Sequence, residues 1–187
     1  MAPNSDASIE EVVELNGAGT EFLKAVKKKT GNNLSRCLHC RTCAGGCPFA
    51  ADMNPKPNGV IRMIQLGLRK EAFECPTIWI CVGCYTCAVQ CPMSIDIAGV
   101  MDAVRQLALD EKADIAERGI HDFHREVIRS IERYGRTHKF EIMMRYKMKR
   151  RDWFSDFKTG VKMFAKRKLE LMPSKVMDPN GIRGLFR

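Results

Sequence analysis

The sequence predicts a mostly α protein. Apolar residues recur at three- and four-residue intervals in successive segments, no stretch alternates as a half-buried strand would, and glycine or proline separates the segments. Of its 187 residues, 45% are apolar and 28% charged, so a core is affordable and the balance is that of a globular chain. The longest apolar stretches fall short of the roughly 18 residues a membrane span requires. The polar, acidic start MAPNSDASIEEVVE has no basic region, apolar stretch or small-residue cleavage site, so the expected compartment is the cytoplasm.

Residues 1–33 read as a helical lead-in. Ser8 and Glu11 have capping-box spacing, and Gly17 and Gly19 break that segment. A helix is expected over 20–29, with Phe22, Leu23 and Val26 on one side and its lysines late, where they suit the dipole; Gly31 and Asn32 end it. Pro55, Pro57 and Gly59 mark a turn, and Val60, Ile61, Ile64, Leu68 and Phe73 predict a helix over 58–72. The longest amphipathic segment runs over 95–117, with Ile97, Val100, Met101, Val104, Leu107 and Ala108 inward and Gly119 as its stop. Further helices are expected over 121–134, 140–149 and 154–169, the last interrupted at Gly160, and Pro173 and Pro179 mark an irregular tail.

The cysteines carry the chemistry. Nine is an odd number for a closed disulfide framework, and a reducing compartment disfavours disulfides anyway. Eight of the nine form two runs, CLHCRTCAGGCP (Cys37, Cys40, Cys43, Cys47) and CVGCYTCAVQCP (Cys81, Cys84, Cys87, Cys91). Both have the spacing C-x2-C-x2-C-x3-C-P, and each residue of the first has its counterpart 44 positions later, which is an internal repeat. Structural zinc prefers two separated cysteine pairs to four thiols packed into eleven residues. Three cysteines at two-residue gaps let one tight loop reach three corners of a cubane cluster, and the fourth corner must be met from elsewhere. Two [4Fe–4S] clusters are therefore expected. In the two-cluster ferredoxin pattern, the fourth cysteine of each run ligates the other run's cluster. That pattern implies one set of Cys37, Cys40, Cys43 and Cys91, and another of Cys81, Cys84, Cys87 and Cys47. Pro48 and Pro92 turn the chain away after the fourth cysteine. Gly45, Gly46 and Gly83 are expected to let backbone pass close to sulfur. Cys75, outside both runs, reads as a small buried hydrophobe.

Charge is unevenly spread. Residues 1–120 hold 13 Lys+Arg against 14 Asp+Glu, whereas residues 121–187 hold 18 against 8. Neither cysteine run contains an acidic residue, which suits an anionic thiolate-ligated cluster, and Arg36, His39 and Arg41 flank the first run. From those three, the first cluster is expected to have the higher potential. His121 and His124, spaced i, i+3, make a poor metal site by themselves and read as surface or capping residues. No nucleophile–base set, phosphate loop or dinucleotide fingerprint is present, so no catalytic centre is expected in the chain itself.

The helical spacer between the runs, and the helices beyond them, resemble the α-helical ferredoxin domain. Within that group, TIWICVGCYTCAVQCP (77–92) and FEIMMRYKMKRRDWFSDFKTGVKMFAKRKLELMPSKV (140–176) resemble the C-type subunit of heterodisulfide reductase of methanogenic archaea. The resemblance spans roughly residues 20–176. It implies a two-cluster domain over 34–118 and a basic helical extension over 119–187 that docks onto partner subunits. It also implies a role as a relay, taking electrons from a flavin-bearing A-type subunit to a catalytic B-type subunit. The latter reduces the mixed disulfide of coenzyme M and coenzyme B, with hydrogenase or formate dehydrogenase as an indirect source and flavin-based bifurcation in the complex. Only the eight cysteines carry over residue by residue.

Two other readings compete. The chain could serve another redox complex, of fumarate reductase or glycolate oxidase type. The additional upstream cysteine set of the succinate dehydrogenase iron–sulfur protein has no equivalent here, because nothing before Cys37 is a cysteine. The basic tail could instead bind nucleic acid, with Trp153 and Phe154 available to stack. Partner docking is favoured over nucleic acid, because Ile142, Met143, Tyr146, Phe157, Val161 and Phe164 need cover as well as charge.

Overall fold

The computed structural model describes residues 19–150, 162, 166, 176 and 179–184. Among these there is no strand. The chain divides into two compact units, with the boundary between Ala116 and Glu117.

The first unit is a set of short helices around one core. Helix α1 (Gly19–Thr30) carries Lys27, Lys28 and Lys29 in its last turn, and Phe22 and Val26 are buried. A single 3-10 turn, Leu34–Arg36, leads into the first cysteine run, which coils into one helical turn, α2 (Thr42–Gly45). Helix α3 spans Pro57–Leu66, starting on proline, where a missing N–H costs nothing. The single helix expected over 58–72 is in fact two. Gly67, at φ 74°, closes α3 by donating its N–H to Ile64 O and Met63 O, and α4 (Arg69–Glu74) then starts in a new direction. The apolar period continues through the break because both helices face the same core.

A short helix α5 (Thr77–Ile80) introduces the second run, whose own turn is α6 (Thr86–Val89). Helix α7 (Ile97–Asp110) follows. Its N-terminus is fixed by Asp96, whose side chain accepts the Gly99 N–H at 2.9 Å, while the Asp96 N–H donates to Asn32 Oδ1 at 3.0 Å. The helix stops seven residues before the expected end. Lys112 is left-handed at φ 55°, and the Ala113 N–H turns back to Ala108 O. Gly119, expected as that stop, instead lies in the first turn of α8 (Arg118–Tyr134). Val60, Ile61 and Ile64 of α3, Ile78 and Trp79 of α5, and Val100, Met101 and Val104 of α7 form the centre of this core. Phe22 and Phe73 meet edge to face, with their ring centroids 5.5 Å apart.

In the second unit, α8 packs against α9 (Lys139–Arg150) and against α10 (Pro179–Gly184). Gly135, at φ 76°, ends α8. His138 then starts α9. Its buried ring accepts the Glu141 N–H at Nδ1, and its own N–H donates to Ser130 Oγ at 2.8 Å. Pro179 opens a helix where an irregular tail was expected. Ile142 is buried, while Ile128, Met143, Met144 and Met148 are exposed. The expected capping box at Ser8, the helix over 154–169, Pro173, and Trp153, Phe154, Phe157, Val161 and Phe164 fall outside the described residues. Among the described residues, no helix is long and apolar enough to cross a membrane.

Candidate metal centres

The 44-residue repeat in sequence is also a repeat in backbone geometry. Cys37 and Cys81 leave their introducing turns with φ −64°, ψ 122° and φ −61°, ψ 116°. Two residues on, His39 and Gly83 are both left-handed, at φ 52° and 65°. Arg41 and Tyr85 are left-handed too, at φ 64° and 62°, and each begins a four-residue helical turn. Gly46 and Gln90 end those turns in the right-handed region. Left-handed conformations cost a non-glycine residue about 1–2 kcal/mol. Three of the four in these loops are carried by non-glycine residues, so the fold spends that energy to wrap backbone around a fixed shape.

What is wrapped is a pair of cavities. One is lined by Cys47, Cys81, Cys84 and Cys87. The other is lined by Cys37, Cys40, Cys43 and Cys91. Each therefore gathers three cysteines of one run and the fourth of the other. The remaining lining is largely apolar, including Met53, Ile97 and Met101 around the first cavity and Ile61, Met93 and Ile95 around the second. Among the described residues, no Asp or Glu lines either one. Among the described residues, no three His, Cys, Asp or Glu side chains converge as a single metal ion would require. Four soft thiol donors walled by apolar groups suit an iron–sulfur cluster. His121 and His124 share in no convergent metal site among the described residues, and His121 Nδ1 lies 3.7 Å from Asp122 Oδ1.

The thiols differ by depth. Cys43 is buried, and burial, followed by the neighbouring Cys37, pushes its thiol up. Cys87 is pushed up to about 11, by burial first and then by Cys81, Cys43 and Cys84. Burial likewise raises Cys81, against a backbone hydrogen bond at Gly83 and the nearby charge of Arg105. Cys40 and Cys84 are the opposite case. Both are exposed, and hydrogen bonds with Thr42 and Thr86 lower them. Cys40 Sγ is 3.3 Å from Thr42 Oγ1, and Cys84 Sγ is 3.5 Å from Thr86 Oγ1. Crowded thiols that resist ionising alone are what a cationic iron core overcomes, because the metal supplies the compensating charge. Cys43 adds to the upward push on Cys87, and α2, which follows the first run's second cysteine, packs on α6 of the second run.

Sequence reasoning singled out neither Thr42 nor Thr86, although a threonine before the third cysteine repeats in both runs. It also gave Gly46 the wrong task. A Cβ there would meet the Gln90 side chain, not sulfur, and one on Gly45 would meet open space. Cys75 is buried with Sγ 3.3 Å from Ala72 O, lines neither cavity, and packs in the core as a small hydrophobe.

The sequence profile of the 4Fe-4S dicluster domain matches residues 33–95, which include all eight cysteines of the two runs. Curated relatives are C-type subunits of heterodisulfide reductases. That of the H(2):CoB-CoM heterodisulfide,ferredoxin reductase of Methanothermobacter marburgensis is 31% identical over 99 residues, covering 53% of this chain and 54% of that one. A protein of Archaeoglobus profundus, named as like the C-type subunit of heterodisulfide reductase, is 33% identical over 111 residues, covering 59% and 56%. The C-type iron–sulfur subunit of the CoB–CoM heterodisulfide reductase of Methanopyrus kandleri is 34% identical over 76 residues, covering 41% and 40%. The chain thus spans about half the length, or less, of the curated relatives it matches. These likenesses support an iron–sulfur electron-transfer role. The chain carries a ferredoxin-type 4Fe-4S dicluster domain on a mostly helical fold, and over about half its length it is similar to C-type subunits of archaeal heterodisulfide reductases.

Proposed function

We propose that the chain is the electron-relay subunit of a heterodisulfide reductase-type complex. It would stand between a flavin-bearing A-type subunit and a B-type subunit that reduces the coenzyme M–coenzyme B heterodisulfide. Cys37, Cys40, Cys43 and Cys91 hold one [4Fe–4S] cluster, and Cys81, Cys84, Cys87 and Cys47 hold the other. When bound, such clusters supply one-electron storage at low energetic cost. The single observation that carries the reading is the depth order of the thiols. Cys43 is buried and Cys87 half-buried, while Cys40 and Cys84 are exposed. Two sites that each combine deep thiols with one exposed thiol suit a relay, because the cofactor is shielded yet close to the surface where a partner docks.

The chain's residues do the positioning. The left-handed residues in both loops hold three thiols of each set at fixed angles. The apolar lining excludes water, and the exposed third of each loop leaves a short path outward. The two open edges differ in chemistry. Around Cys84 stand the exposed Val82, Tyr85 and Val89; around Cys40 stand the exposed Leu38, Arg36 and Arg41. Different partners at the two edges follow from different surfaces.

The test is an anaerobic native pull-down of the tagged full-length chain. The reading expects copurification of a flavoprotein and of a second cysteine-rich protein. A dehydrogenase-type flavoprotein without the cysteine-rich partner would keep the relay and change the complex to the fumarate reductase or glycolate oxidase type. Nucleic acid in place of protein partners would overturn the function.

A further inference from the structure

The repeat breaks at one chemical position, and the break has a consequence for the order in which the two sites take up electrons. Three residues before the first cysteine of each run is a carbonyl of the introducing turn, Leu34 O in one half and Ile78 O in the other. Each is tied down by a long side chain from the helix that follows the run. In the first half the tie is Gln65 on α3, whose Nε2 donates to Leu34 O at 2.8 Å. In the second half it is Arg105 on α7, which donates Nε to Ile78 O at 2.9 Å, and Nη2 to Ile78 O at 2.6 Å and to Cys81 O at 2.8 Å. The same structural task is done by a neutral amide beside one cavity and by a guanidinium beside the other.

We infer that Arg105 is a positioning residue that raises the potential of the second cluster, at Cys47, Cys81, Cys84 and Cys87, and makes it the first of the two to be reduced. The inference rests on the cluster assignment proposed above. The Arg105 side chain is only 19% exposed, lies against the Trp79 ring and grips the carbonyl of a ligand cysteine. Its acidic neighbour Asp102 is 3.9 Å away, but at 56% exposure that carboxylate is largely compensated by water. A fixed positive charge in a poorly hydrated place favours the more negative, reduced state of an anionic centre. Arg36 and Arg41, beside the other cavity, are exposed and so screened. Gln65 carries no charge; its Oε1 is occupied by His39 Nε2 at 2.8 Å, which leaves the amide no freedom to turn. The expectation that the first cluster has the higher potential is thereby reversed, because it counted charges without their burial.

The test is a redox titration followed by EPR on the full-length, anaerobically purified protein and on Arg105→Gln and Arg105→Lys. Cys40→Ser and Cys84→Ser identify which signal belongs to which cluster. Iron and sulfide are counted on every variant, so a failure of the cluster assignment shows in the wild-type count and in the Cys→Ser signals, apart from any shift. In the wild type, the second cluster is expected to be reduced first. In Arg105→Gln, its midpoint should fall by about 59 mV or more, a tenfold loss of its reduced-to-oxidised ratio at fixed poise. The first cluster should hold its value, and Arg105→Lys should recover most of the shift. Should Arg105→Gln fail to load iron, Gln65→Arg provides the reciprocal: the midpoint of the first cluster should rise. Equal shifts in the glutamine and lysine variants, an unmoved midpoint in Arg105→Gln, or an unmoved first cluster in a loaded Gln65→Arg would overturn the inference.

Discussion

The side chain of Gln90 rests on Gly46, its own counterpart 44 residues earlier in the repeat, so that a Cβ on Gly46 would meet the Gln90 amide. The two cysteine turns therefore approach each other through equivalent positions. One of those positions is small where the other is long. α2 packs on α6 there, and Cys43 adds to the upward push on the Cys87 thiol.

The glycines of the two runs consequently differ in what they tolerate. Gly46 is right-handed at φ −91°, and the group above it is the flexible end of an exposed side chain. Gly46→Ala is expected to push Gln90 aside and change stability by no more than about 0.5 kcal/mol. Gly83 stands at φ 65° with open space around it, so Gly83→Ala meets no neighbour but strains its own backbone, at about 1–2 kcal/mol. Denaturant unfolding of both loaded variants checks this, and a larger loss in Gly46→Ala would contradict it.

Cys75 is expected to be dispensable for metal. Its thiol is buried, burial raises it, and it lines neither cavity. Cys75→Ala should keep the wild-type iron and sulfide content and lose about 1 kcal/mol of stability from the space left behind. A proportionate loss of iron would make it a ligand.

The ion pair of Arg69 and Glu111 should contribute to stability at neutral pH and lose that contribution in acid. Arg69 also lies over the Phe22 and Phe73 rings, 5.2 Å from each centroid. Its hydrogen bonds hold the Glu111 carboxyl below its usual range. A depressed folded-state value means that the stabilisation is full above the unfolded carboxyl's titration range, near pH 4.3. It is then lost as pH falls through the lower, folded-state value. Both side chains are more than a third exposed, so the pair is worth less than about 1 kcal/mol. Unfolding of wild type and Glu111→Gln should differ slightly at pH 7, converge in acid, and differ less in high salt. A gap that widens in acid would show that the sign is wrong.

How much of this was legible in the sequence depended on the range of the cause. The helices with long apolar periods, α1, α3 and α7, were legible because their inward residues repeat at the helical interval. The break at Gly67 was not, since α3 and α4 face one core and the period runs through it. The early stop of α7 at Lys112 was hidden for another reason: it depends on a lysine adopting a left-handed conformation, which no local signal marks. The cysteine pattern made the metal chemistry legible, because ligand spacing is a local constraint. Arg105 and Gln65 were invisible as a pair. They do the same task from positions that are not 44 residues apart, and only the folded chain brings each to its carbonyl.

Ligation of the two sites is the point on which everything else depends. The decisive measurement is iron, acid-labile sulfide and EPR on the anaerobically purified chain, beside Cys47→Ser and Cys91→Ser. The wild type should hold about eight irons and eight sulfides. Cys47→Ser should disturb only the cluster of Cys81, Cys84 and Cys87, and Cys91→Ser only that of Cys37, Cys40 and Cys43. Zinc in place of iron, or damage in each variant confined to the cluster of its own run, would contradict it.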